Sequence, residues 1–116
     1  MPPRSWCVRI EDILEALDNI EDYVVGLDLD AFHADRKTID AVERNLEIIG
    51  EATANLPDDI LDRWPEVPWH YMRGLRNLLI HEYFGVDVGI LWQTIQEDLP
   101  PLEPLLRKVL ASSDAG

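Results

Sequence analysis

The sequence predicts an all-α protein, an up-and-down bundle of four main helices with one extra short helix. Three observations carry this. Apolar residues recur at the three- and four-residue spacing of a helix face through most of the chain. No segment alternates with the period of two that a half-buried strand requires, and no internal repeat or low-complexity linker divides the 116 residues. A chain of this length fits one domain, residues 1–116, and can bury about two thirds of its unfolded surface without metal or disulfide staples.

The first helix is marked by Ile10, Ile13, Leu14, Leu17, Ile20, Val24 and Leu27, with acids on the intervening positions. Gly26 and Asp28-Leu29-Asp30 end it. The second helix runs through Phe32, Ile39, Val42, Leu46, Ile49, Thr53 and Leu56, a near-heptad stripe suited to long, almost antiparallel packing on the first. Gly50 and Ala52 interrupt its bulky residues and could let another backbone approach closely, although Gly50 costs about 1 kcal/mol in helix propensity. Pro57 closes this helix. Asp58-Asp59-Ile60-Leu61 opens the short one, its first-turn acids meeting the positive end of the helix dipole.

Trp64-Pro65-Glu66-Val67-Pro68-Trp69 forms a stiff corner. Pro68 suits the first position of a helix reaching from about Trp69 to His81 or Glu82, with Gly85 as its stop. The last region begins near Asp87 with Val88, Leu91, Trp92, Ile95 and Leu99. Pro100-Pro101 must kink or break it before Leu102, Leu105, Leu106, Val109 and Leu110 resume the stripe. Ser112 to Gly116 read as a frayed tail.

Charge narrows the function classes. Ten Lys and Arg against 23 Asp and Glu give a formal charge of −13, so most of the surface repels a phosphate backbone, which argues against broad, non-specific adhesion to nucleic acid but not against a local site. Residues 1–58 hold fourteen acids against five bases and residues 59–116 nine against five. That asymmetry suits a basic protein partner, or simply keeps a small domain soluble. The lone Cys7 cannot close an intrachain bridge, in keeping with a reducing compartment. No signal-like apolar run follows Met1-Pro2-Pro3-Arg4, and no apolar stretch approaches the roughly 20 residues of a membrane span. A soluble cytoplasmic domain with no membrane role is expected.

The acids leave one stretch free. From Val67 to His81 there is no Asp or Glu, the longest such gap in the chain, and it carries His70, Arg73, Arg76 and His81. Arg76-Asn77-Leu78-Leu79-Ile80-His81-Glu82-Tyr83 places a permanent cation, an amide, an imidazole and a phenol within about two helical turns. Asn77 and His81 share a helix face, whereas Arg76 and His81 stand about 140° apart on an ideal helix. They converge on one ligand if the helix unwinds near His81. There the negative dipole end would favour the imidazolium.

These groups fit cleavage of an RNA phosphodiester by its own 2′-hydroxyl. Arg76 can bind the non-bridging oxygens and stabilise the pentacovalent transition state, while His81 moves the proton. DNA, lacking the nucleophile, would bind without reacting. One histidine cannot both deprotonate the nucleophile and protonate the leaving group. A two-fold dimer with two Arg76-His81 pairs in one cleft supplies both roles.

Arg76-x4-His81-x-Tyr83, with polar Asn77 directly after the arginine, resembles the signature of HEPN-domain ribonucleases, specifically the HepT toxins of HepT/MntA toxin-antitoxin pairs. The likeness runs through Ile48-Ile49-Gly50-Glu51-Ala52, Val67-Pro68-Trp69, the motif itself, Val86-Asp87, Trp92 and Asp98-Leu99-Pro100 with Leu102. A bare R-x4-H is weak evidence; the ordered string covers nearly the whole chain. The resemblance implies a HEPN-like helical homodimer, the toxin of a type VII-like toxin-antitoxin system, acting as a metal-independent RNA endonuclease without cofactor. It implies that Arg76 and His81 are catalytic and that Asn77 is the polar residue of the motif. It also implies that a minimal nucleotidyltransferase antitoxin, MntA-like, neutralises the toxin by adenylylating Tyr83. A nucleotide attached there would bring bulk and negative charge against the pocket that RNA must enter.

Other readings of the same residues stand beside these. Arg76 could cap helix carbonyls or pair with Glu51 or Glu82, and Glu51 could orient it. Arg73, one turn before Asn77, could extend the anion pocket as a supporting substrate contact or stand solvated. Tyr83 could be a packed aromatic. Trp64, Trp69 and Trp92 read as core or corner residues. His33 and His70 have no partners at metal-ligand spacing, so no metal site is expected. Cys7 has no activating base, and no Gly-rich phosphate loop is present. The competing function is a non-catalytic helical adaptor that binds a nucleotidyltransferase and a nucleotide.

Overall fold

The computed structural model describes residues 5–77 and 88–115, and every regular element among them is helical. Helix α1 spans Ser5–Val24, α2 Leu29–His33, α3 Arg36–Ala54, α4 Asp58–Arg63 and α5 Trp69–Gly74. After the undescribed residues, α6 spans Val88–Gln93 and runs into a π-helical segment, Thr94–Asp98. Helix α7, Leu102–Ala111, closes in a 3-10 turn at Ser112–Ala115. The all-helical bundle that the periodicity predicts is the architecture found. Helix α1 packs chiefly on α3 and α7, and α3 carries α5.

The long pair is assembled as the stripes require. Ile10, Ile13, Leu14, Leu17, Ile20 and Val24 of α1 are buried, and so are Ile39, Val42, Leu46 and Ile49 of α3. Polar groups are matched inside this interface. Asn19 donates to the Asn45 side-chain oxygen at 3.2 Å, and Asn45 donates to the Ala41 carbonyl at 2.9 Å, which avoids the penalty of an unpaired buried amide. Gly26, with φ of 79°, takes the left-handed conformation that turns the chain after α1.

The second helix differs from the expectation: it is two helices. Ala34 ends α2, and Asp35 leaves helical geometry to cap α3, accepting from the Thr38 N–H at 3.1 Å and the Thr38 hydroxyl at 2.7 Å. A short acidic side chain bonded to the backbone ahead competes with helix continuation, so the apolar stripe spans a break that spacing alone does not reveal. Those same bonds hold the Asp35 carboxyl below its ordinary pKa. Phe32 still enters the core, fully buried, its ring 5.1 Å from that of Trp92.

A second difference lies before the proline pair. The Leu99 N–H reaches the Thr94 carbonyl at 3.1 Å, five residues back, so the chain widens into a π turn. A proline ring collides with the carbonyl four residues before it. For Pro100 and Pro101 those carbonyls belong to Gln96 and Glu97, both within the widened turn. The turn keeps Ile95 and Leu99 in the core, and Leu102, Leu106 and Val109 of α7 follow them. The expected frayed tail is helical through Ala115, its Ser112 and Ser113 hydroxyls donating to the Val109 and Leu110 carbonyls. No helix among the described residues is long and apolar enough to cross a membrane.

Candidate active site

The acid-free segment is anchored by the tryptophan-proline corner. Helix α5 starts after Pro68, whose carbonyl accepts from the Met72 N–H at 3.0 Å, and the Trp69 indole donates to the Trp64 carbonyl at 3.0 Å. Trp69, Met72 and Leu75 face the core. That leaves His70, Arg73 and Asn77 exposed and Arg76 half-buried. The helix from Trp69, expected to run to His81 or Glu82, tightens into a 3-10 turn over residues 75–77. A 3-10 turn has about three residues per turn, so the spacing rules of an ideal α-helix already lapse at Arg76.

Gly50 sets where this turn sits. A Cβ placed on it would lie 3.0 Å from the Arg76 Cβ and 3.1 Å from both the Arg73 carbonyl oxygen and the Arg76 nitrogen. Only glycine lets the backbone of α5 and its turn approach α3 this closely. The small-residue interruption of the α3 stripe is therefore a docking seat for the residues bearing the cations.

One residue beyond that seat, Glu51 reaches Arg76. Both carboxylate oxygens accept from Nη1 at 3.1 Å. Of the two carboxylates the sequence offers as partners, Glu51 is the one paired with Arg76 among the described residues. The side chains are 41% and 57% exposed, and a pair so open to water contributes about 0–1 kcal/mol to stability. Both bonds leave from the same terminal nitrogen of the guanidinium.

The structure thus gathers Arg73, Arg76 and Asn77 on one short segment with Glu51 against it. Arg73 contributes its carbonyl to the Gly50 seat, while its side chain is exposed in the last turn of α5, where a cation meets the negative dipole end. His81 and Tyr83 lie outside the described residues, as do Glu82 and Gly85. The tryptophans behave as core and corner residues: Trp69 is buried, Trp92 packs on Phe32, and Trp64 is half-buried. Among the described residues no three His, Cys, Asp or Glu side chains group as metal ligands would.

A second strut was not legible from spacing. The Tyr71 hydroxyl donates to Asp98 Oδ2 at 2.6 Å, tying α5 to the π segment across 27 residues of chain. Burial first, then the Asp98 hydrogen bond and charge, push the Tyr71 hydroxyl up to about 12. Asp98 already stood out in Asp98-Leu99-Pro100, but no local pattern points to a tyrosine so distant. A cavity of about 360 Å³ lies elsewhere, between the end of α1 and the start of α7, lined by Leu17, Ile20, Val24 and Leu99 with Glu21 and Glu103. It includes no residue of the acid-free segment and no base, so it does not suit an anion.

Comparison with known proteins identifies the family of the chain. The model of the family described as ribonuclease HepT-like matches residues 13–109. A probable ribonuclease HepT of Thermococcus cleftensis is 47% identical over 106 residues, covering 91% of this chain and 96% of that protein. A putative RNase of Methanocaldococcus jannaschii is 42% identical over 100 residues, with 86% and 83% covered. A putative RNase of Caldanaerobacter subterraneus is 40% identical over 108 residues, with 93% and 94% covered. No solved structure matches the chain.

Proposed function

The chain belongs to the HepT-like ribonuclease family, and from that premise we propose that it is a one-domain, homodimeric, metal-independent RNA endonuclease, the toxin of a toxin-antitoxin pair working in the cytoplasm. The observation that carries the reading is the seat of Arg76: a guanidinium held by Glu51 over the Gly50 contact, inside the longest segment free of acids. A preorganised guanidinium binds phosphate oxygens and stabilises the charge that grows on them as the 2′-hydroxyl attacks phosphorus. His81, five residues on, acts as the proton carrier. Two protomers supply the base that takes the 2′-hydroxyl proton and the acid that protonates the departing 5′-oxygen. Asn77 and Arg73 serve as supporting contacts to the substrate backbone. A nucleotidyltransferase partner silences the enzyme by adenylylating Tyr83, placing a phosphodiester where RNA would enter.

The test is cleavage of RNA by the purified protein in excess chelator. Wild-type protein yields products ending in 2′,3′-cyclic phosphate, and His81→Ala and Arg76→Ala each lose about 10²-fold or more in rate with the fold retained. Undiminished cleavage by both variants refutes these assignments. Tight binding of a nucleotidyltransferase with no cleavage by wild type favours the adaptor instead. Intact mass after co-expression with an MntA-like nucleotidyltransferase tests Tyr83: an added adenylyl group that is absent in Tyr83→Phe is expected.

A further inference from the structure

We infer that Glu51 is a positioning residue for Arg76, gripping the guanidinium by one terminal nitrogen so that the opposite edge is presented to the scissile phosphodiester. This rests on the ribonuclease reading above. Both bonds to the Glu51 carboxylate leave from Nη1. The edge formed by Nε and Nη2 is not consumed by Glu51. That edge is the fork that binds two oxygens of a phosphate side by side.

Two constraints make the grip effective. The Gly50 contact fixes the backbone nitrogen and Cβ of Arg76 against α3, so the root of the side chain does not wander. The remaining freedom lies in the long, half-exposed stem, and Glu51 narrows it from the very next residue of α3. A carboxylate is otherwise a poor neighbour for an anion site, because its charge opposes the substrate. Placing one here trades substrate affinity for orientation. The expected signature is therefore a split: Glu51 raises KM slightly and raises kcat more.

The experiment compares wild type, Glu51→Gln and Glu51→Ala in multiple-turnover cleavage of a fluorescent single-stranded RNA oligonucleotide, with thermal melts to verify folding. Glutamine keeps one oxygen to accept from Nη1 and drops the charge; alanine removes both. Relative to wild type, kcat is expected to fall about threefold in Glu51→Gln and about 10- to 100-fold in Glu51→Ala, the range that loss of orientation produces. KM stays level or falls about two- to threefold in both, as one repulsive charge is removed. Alanine with kcat within twofold of wild type overturns the inference. So does a parallel loss in both variants with KM raised, which is what a substrate-binding or purely structural role would give. Failure of the ribonuclease reading looks different: wild type itself does not cleave, or Arg76→Ala cleaves undiminished, and Glu51 then loses its role with it.

Discussion

Substituting Gly50 with alanine opposes two effects of similar size, and the structure indicates which one wins. Alanine is favoured over glycine inside a helix by about 1 kcal/mol. Against this, the new Cβ would stand 3.0 Å from the Arg76 Cβ and 3.1 Å from the Arg73 oxygen and the Arg76 nitrogen. Unstrained carbon contacts sit at about 3.5–4.0 Å, so the Arg73 and Arg76 backbone must give way by a few tenths of an ångström. None of the three atoms belongs to a flexible side-chain end that could swing aside. Overpacking of this kind costs about 1–3 kcal/mol, leaving a net loss of about 1 kcal/mol after the helix gain. The effect on activity should be larger, since a misplacement of about 1 Å near the reacting groups can lower a rate up to about 10²-fold. A drop of about tenfold in kcat is expected. Urea unfolding and RNA cleavage measure the two quantities on one preparation. Gly74→Ala is the control, because a Cβ there meets nothing within 4 Å and should leave kcat unchanged. A Gly50→Ala protein that is more stable than wild type and equally active would refute the argument that this glycine seats Arg76.

Two further outcomes follow from contacts outside the site. Phe32→Ala removes a fully buried ring stacked at a tilt on Trp92 and should lower unfolding free energy by about 3 kcal/mol in urea titrations, the low end for such truncations because α2 can shift to fill part of the space. Tyr71→Phe tests the strut to Asp98. The hydroxyl is raised from 10.0 to about 12 in the folded chain, so wild-type stability should be intact below pH 10 and decline between about pH 10 and 12, as the unfolded chain ionises first. A variant showing the same alkaline decline would place its origin elsewhere.

Most of the helical plan could be read along the chain. The stripes of α1 and α3, the proline corner and the break at Pro100-Pro101 are set by residues within a few positions of one another. Gly50 could be singled out because a glycine in the middle of a buried stripe is unfavourable unless something approaches it. The Asp35 break was harder to see. Its signal, a capping side chain with Thr38 three residues on, competes with an apolar stripe that continues straight through it.

The order and faces of the helices, and the collection of two guanidinium groups, one amide and two imidazoles in a stretch without acids, belong to the amino-acid sequence by itself, because 3.6-residue periodicity and local charge need no distant partner. Which carboxylate holds Arg76 and which acid receives Tyr71 were decided only in three dimensions. Glu51 and Arg76 are 25 residues apart and Tyr71 and Asp98 27. Such pairs are selected by how α5 docks on α3 and on the π turn, a choice made by packing over the whole core.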